Sequence, residues 1–205
     1  LILFISISKS YSLVEVDITR GNLNPLPIAV SPLFQDNNSN TFFEKELEIE
    51  DIGSEISKVI ENNLKQSGLF NPLSKDAFLQ KPDIAHLKPR FEDWALIKSQ
   101  ALITGKVTAV NKKLKVEFRL WDVLAGREML ALAFTTVPSN WRRVGHIITD
   151  KVYQRLTGEK GYFDTRIIYV SEEGPKTQRI KKLAIMDQDG FNTKYLTLGN
   201  ELVLT

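Results

Sequence analysis

Lys113-Leu114-Lys115-Val116-Glu117-Phe118-Arg119-Leu120 sets an apolar side chain against a charged one at every step. Successive side chains of a strand point to opposite faces, so this period predicts an antiparallel strand with one face in a core and the other in water. Ala101 to Val110, before it, is rich in apolar and β-branched residues, and Glu128 to Val137, after it, reads as a third strand. Asn111-Lys112 supplies the first hairpin connection and Leu124-Ala125-Gly126-Arg127 the second.

Helices flank this meander. Ile52, Ile56, Val59, Ile60 and Leu64 recur at steps of three and four, predicting a helix capped by Asp51 and ended by Gly68. Trp141, Val144, Ile148, Val152 and Leu156 give a second long stripe, with Ser139 as the expected cap and Gly158 closing it. A shorter helix is expected around Phe91, Trp94, Ala95 and Lys98. Pro27 to Phe34 reads as a short strand feeding a polar loop, Gln35 to Asn40, and Leu69 to Leu73 as an extended segment that Pro72 keeps out of helix. This order predicts an α/β domain over residues 13–160, with a mixed sheet and helices on one face.

Beyond Lys160 the texture changes. Arg166 to Ser171, Arg179 to Met186 and Phe191 to Leu196 read as strands, joined by the Gly/Pro turn Glu172 to Gln178 and by Asp187-Gln188-Asp189-Gly190. A meander of roughly 40 residues cannot bury both faces of its sheet, which is how one blade of a β-propeller looks without its neighbours. Residues 161–205 are therefore expected to be about one blade of an incomplete propeller.

Composition excludes several classes. A chain with 42% hydrophobic and 25% charged residues is an ordinary globular protein. Its net charge of +2 comes from 27 basic and 25 acidic residues without a like-charged block, so no nucleic-acid arm is expected. The absence of cysteine removes disulfides, thiol catalysis and Cys-based zinc sites. No stretch approaches the roughly 18 apolar residues that span a membrane. The apolar run Leu1 to Ile7 followed by Ser10-Tyr11-Ser12 reads as the remnant of a secretory signal peptide over residues 1–12, or else as a short buried strand.

Catalytic and cofactor motifs are missing. There is no Gly-x-Ser-x-Gly, Walker-type Gly-Lys-Ser/Thr or His-Glu-x-x-His pattern. Gly158-Glu159-Lys160-Gly161 follows a helix instead of opening one, and reads as a C-cap. Asp187-x-Asp189-Gly190 suits a hairpin turn better than a calcium loop, whose twelfth position would here be Leu198. His86 and His146 fall in different elements, and His146 is expected to be a hydrogen-bonded, partly buried residue near a domain junction. Arg142 and Arg143 face either the propeller side or water, and Trp94, Trp121 and Trp141 read as core or interface fillers. No enzyme activity, cofactor or metal is expected.

Three stretches, in this order, resemble the TolB family. The first is Asp51-Ile52-Gly53 leading to Asn63-Leu64 and Ser67-Gly68-Leu69-Phe70-Asn71-Pro72-Leu73. The second runs from Trp141 through Arg142, Arg143, Gly145, His146 and Asp150 to Leu156-Thr157-Gly158. The third is Gly161-Tyr162-Phe163-Asp164-Thr165-Arg166-Ile167-Ile168-Tyr169-Val170, followed by Asp187-Gln188-Asp189-Gly190-Phe191-Asn192. The resemblance implies a periplasmic scaffold, an α/β domain followed by a six-bladed propeller, that links the inner-membrane protein TolA to the outer-membrane lipoprotein Pal. It implies roles in outer-membrane integrity, in drawing that membrane inward during division and in bacteriocin import.

In such proteins the mature N-terminus engages TolA and the propeller engages Pal. Carried over, the TolA-type segment is Leu13 to Arg20, in which Val14, Val16 and Ile18 alternate with Glu15, Asp17 and Thr19. It would add as a strand to its partner, although by pattern alone it reads equally as the first strand of the domain's own sheet. Most of the Pal surface would lie in blades beyond Thr205, so no Pal contact is assigned. A blade without neighbours, residues 162–205, is also expected to pair with another copy through its edges or to be disordered. The alternative reading is a small-molecule or glycan-binding α/β module attached to a propeller. Gln35 to Glu50 and Asp76 to Arg90 carry no recognisable motif.

Overall fold

Two sheets are present in the computed structural model, which describes residues 24–199. The chain runs β1 (Leu26–Val30), β2 (Phe34–Gln35), α1 (Asn37–Leu47), α2 (Ile52–Gln66), β3 (Phe70–Pro72), α3 (Pro82–Ala85), α4 (Phe91–Leu96), β4 (Ala101–Val110), β5 (Lys113–Asp122) and β6 (Arg127–Thr136). It continues through α5 (Trp141–Thr157), β7 (Arg166–Glu173), β8 (Ile180–Asp187) and β9 (Lys194–Tyr195).

The first sheet has the order β3-β1-β4-β5-β6, with β2 also pairing β4. β1 lies parallel to β3 and β4, while β4, β5 and β6 are antiparallel, so the sheet is mixed as its sequence predicts. Val107 opposes Val116, and Gly105 opposes Phe118. This register keeps Leu114, Val116, Phe118 and Leu120 together in the main core, where each is at most 1% exposed. Asn111 and Lys112 both take positive φ, the two-residue turn that matches strand twist.

α2 and α5 pack on this face and on each other. The five stripe residues of α2, Ile52, Ile56, Val59, Ile60 and Leu64, are at most 4% exposed, worth roughly 10 kcal/mol of gross apolar burial. Asp51 caps α2 by accepting from the Ser54 amide at 2.9 Å. Gly53, two residues on, meets the β1–β2 loop so closely that a Cβ would stand 2.1 Å from the Leu33 carbonyl oxygen. No other residue fits there. The Asp51-Ile52-Gly53 motif is thus a cap, a core residue and a close approach in succession.

Four expectations are corrected. Pro27 to Phe34 is not one strand: β1 ends at Val30 and β2 begins at Phe34, with Pro32, which has no N–H to give a ladder, between them. Gln35 to Asn40 is not a loop: Asp36 accepts from the Ser39 amide at 2.8 Å and starts α1, which Phe43, fully buried, anchors in the core. Its single deeply buried apolar residue leaves no periodic stripe to read. Ser139 is not the cap of α5, because Pro138–Asn140 forms a 3-10 turn that runs straight into the helix and moves the cap position to Asn140. The Asn140 side chain is drawn off to Thr136 instead. The third strand of the second sheet shrinks to β9, because Phe191 and Asn192 are used up in the turn.

The long helices share one face, and α3–α4 cover a patch of the other. There Trp94 packs with Ala29, Ala85, Leu102 and Val123. The motif-free stretch before it is organised by one buried side chain, Gln80: its oxygen accepts from Trp94 Nε1 and the Arg90 amide, and its nitrogen donates to the Lys88 carbonyl.

The second sheet, β7-β8-β9, is antiparallel and thinly covered. Ile167, Ile168, Ile180 and Tyr195 are between 42% and 63% exposed. The connection from α5 is fastened: the Asp150 carboxylate accepts from the amides of Phe163 at 2.7 Å and Asp164 at 3.2 Å. Phe163, 1% exposed, stacks on Tyr162 and meets Tyr153 edge-on. Among the described residues no helix is long and apolar enough to cross a membrane.

Candidate functional site

The expected partner-binding residues Val14, Glu15, Val16, Asp17, Ile18 and Thr19 lie outside the described residues, as does the segment 1–12. The described chain assembles a different constellation, where α2 and α5 meet the turn between β8 and β9.

α5 builds it by helical spacing. Arg142, His146 and Thr149 fall at steps of four and three, and so share one side of the helix. Asn63 joins them from α2. It stands seven residues after Ile56 on the apolar stripe and is fully buried. Asn63 Nδ2 lies 2.9 Å from His146 Nδ1 and 3.2 Å from Thr149 Oγ1, while Gln188 Nε2 donates to Asn63 Oδ1 at 2.9 Å. Thr149 gives its own hydrogen to the Gly145 carbonyl, so it must accept from Asn63. That fixes the amide orientation, and with it the imidazole: Nδ1 accepts, and neutral His146 carries its hydrogen on Nε2.

Nε2 is buried and has no hydrogen-bond partner, and Asp189 Oδ2 lies 3.8 Å away. Arg142 pairs with that same oxygen at 2.5 Å and lies over the Phe191 ring at 4.0 Å. Arg143 makes a two-nitrogen contact with Asp164. Its guanidinium is held further above its usual range, first by the hydrogen bond to Asp164 and then by that carboxylate's charge. Burial pushes His146 below its ordinary value; Asp189 pulls upward and Arg142 downward, with smaller upward pulls from Asp187 and Asp164.

Beside this network lies a cleft of about 500 Å³ lined by Arg142, Arg143, His146, Asp164, Asp187 and Lys194, among others. His146, Asp187 and Asp189 bring three potential ligand atoms within 4.8 Å of one another. The Arg142 guanidinium already holds the Asp189 oxygen that a metal would need, and Asp187 Oδ2 accepts from Asn192. The positive charge this cluster is built around is an arginine.

From the sequence, His146 is expected near a junction with a hydrogen bond, and Arg142 and Arg143 towards the second sheet or water. The structure gives both arginines carboxylate partners in the segment after α5. It also adds Asn63 and Gln188, which the sequence reading did not single out as site residues. The available signal was a polar residue at an apolar stripe position.

Comparison with known proteins completes the picture. The model of the TolB amino-terminal domain matches residues 14–129. The chain is 81% identical over its whole 205 residues to the Tol-Pal system protein TolB of Pelagibacter ubique (strain HTCC1062), of which it spans 46%. The crystal structure of TolB from Acinetobacter baumannii superposes with a TM-score of 0.68 at 25% identity, over 90% of this chain and 41% of that one. The LpoB C-terminal domain from Salmonella enterica gives a TM-score of only 0.37 at 11% identity, covering 57% of this chain and 86% of that domain, too loose a likeness to argue from.

Proposed function

The chain belongs to the TolB family, and from that premise we propose that it acts in the periplasm as a non-enzymatic scaffold of the Tol-Pal system. The observation that carries this is the family match over residues 14–129, which takes in both the proposed partner segment and most of the α/β domain. The segment Val14 to Thr19 adds as a strand to a TolA-like inner-membrane protein, its backbone giving affinity and its alternating side chains specificity. Residues 161–205 begin a propeller whose further blades engage a Pal-like lipoprotein. The chain spans about half the length of the curated relative it matches.

A non-catalytic role accords with the junction chemistry. Arg142 and Arg143 are each tied to an aspartate of the segment after α5, and so serve the docking of the second sheet. Ligand pockets for small molecules are mostly apolar with a few convergent polar groups, whereas this cleft is lined mostly by polar and charged side chains, several of them paired with one another. The glycan- or small-molecule-binding alternative gains nothing from it.

Calorimetric titration of a TolA C-terminal domain into this chain, with and without residues 13–20, tests the proposal. The expected result is binding that disappears on deletion. Binding that survives moves the site onto the folded domain, and no binding with either form sinks the scaffold reading.

A further inference from the structure

We infer that His146 is a proton-sensitive latch: its neutral form holds the β8–β9 turn against α2 and α5, and its protonation releases that turn. The inference does not depend on the partners proposed above.

The latch follows from the direction of each hydrogen bond. Asn63 spends its amide hydrogens on His146 Nδ1 and Thr149 Oγ1, and its oxygen on Gln188. A proton added at Nδ1 would set an N–H donor against an NH2 donor at 2.9 Å. Turning the Asn63 amide relieves that clash but sets its oxygen against Thr149 Oγ1, whose hydrogen is on the Gly145 carbonyl, and its NH2 against Gln188 Nε2, so the bond to the turn breaks unless the Gln188 amide turns too. Protonation on one side of Asn63 is therefore felt on the other, at the residue that joins the second sheet to α2.

Charge works in the same direction. The groups facing His146 are Arg142 from its own helix, Asp189 from the turn, Asp187 from the end of β8 and Asp164 from the connection before β7. α2 contributes the neutral Asn63. Asp189 favours an imidazolium, but Arg142 already occupies its near oxygen. Asp164 is taken by Arg143, and Asp187 by Asn192 and Arg166. With the carboxylates spoken for and 2% of the residue exposed, a second buried cation beside Arg142 is opposed by burial and by like charge.

The sign is fixed by the direction of the shift. The docked state holds its proton less tightly than the undocked one, so docking is fully stable above the ordinary histidine value of 6.5 and weakens as pH falls below it. The penalty is complete once pH passes below the lowered value of the docked state.

Hydrogen exchange on the 205-residue chain between about pH 7.5 and about pH 5 reads this directly. After correction for the intrinsic rate, the opening constant at the Gln188 and Gly190 amides should rise by up to about tenfold per pH unit, while the β4–β5 amides stay level. His146→Asn, which keeps an acceptor but cannot titrate, should abolish that rise. Opening at Gln188 and Gly190 that is flat with pH, or equally steep in H146N, overturns the inference. Should H146N fail to dock, the imidazole resonances of the unaltered chain decide: a ring neutral to below pH 6.5 supports the latch, and one protonated at or above it overturns the latch.

Discussion

Asn63 shows how much can rest on one side chain. It stands seven residues after Ile56, where the stripe of α2 calls for an apolar residue, yet it touches His146, Thr149 and Gln188 at once. Replacing it by leucine would satisfy the stripe but strand His146 Nδ1 and the Gln188 amide, and leave Thr149 only its bond to Gly145. Asn63→Leu is expected to destabilise the chain by about 2–3 kcal/mol, because an unpaired buried group costs more than its bond contributed. Urea denaturation checks this, and a variant as stable as the parent would mean that water replaces the amide. Gln80 is the same lesson on the opposite face. It sits in a stretch without pattern and proves to be the acceptor for Trp94 Nε1 and the Arg90 amide. Neither role was legible in advance, because a single glutamine or asparagine has no period.

At the scale of the element, legibility follows length. α2, α5, β4 and β5 run for 10 to 17 residues each and were read with nearly their observed bounds. α1 has 11 residues but a single deeply buried apolar one, and its Asn- and Ser-rich first turn resembles a loop. Its start is set by Asp36, whose carboxyl is held below the usual range by the Ser39 hydroxyl and amide, with Lys106 adding to the effect. Asp36→Ala is expected to cost about 1 kcal/mol, and Asp36→Asn much less, since asparagine also caps. Thermal unfolding of the two variants at neutral pH separates them, and equal losses would assign the effect to charge. As pH falls below the ordinary carboxylate value of 3.8, the parent should lose this contribution as well.

The described residues form two sheets of unequal quality joined by a fastened connection. The core from Leu26 to Leu156 is built by the first sheet, its helices and the β1–β2 loop, whereas Ala184 is the one buried hydrophobic residue among the described strands of the second. The second sheet keeps its place through Asp150, Phe163, Arg143 and the His146 network. Gly161 shows how close the fit is, since a Cβ there would lie 2.5 Å from Asp150 Cα. Ile167 at 42% exposed, Ile180 at 49% and Tyr195 at 52% share one face of this sheet and are left to water, so the chain should self-associate through it as its concentration rises. Sedimentation velocity tests that, and charge placed there by Ile167→Lys should suppress it; a monomer at all concentrations would show the exposed face to be tolerated. By itself the sequence determined most of the strands, the two long helices and the family, because each depends on repeats two to four residues apart or on runs of adjacent residues, and the order of those elements implied the mixed sheet. The junction was decided only by the tertiary structure: Asn63 meets His146 across 83 positions and Gln188 across 125, and no local period records which distant polar groups a buried amide will find.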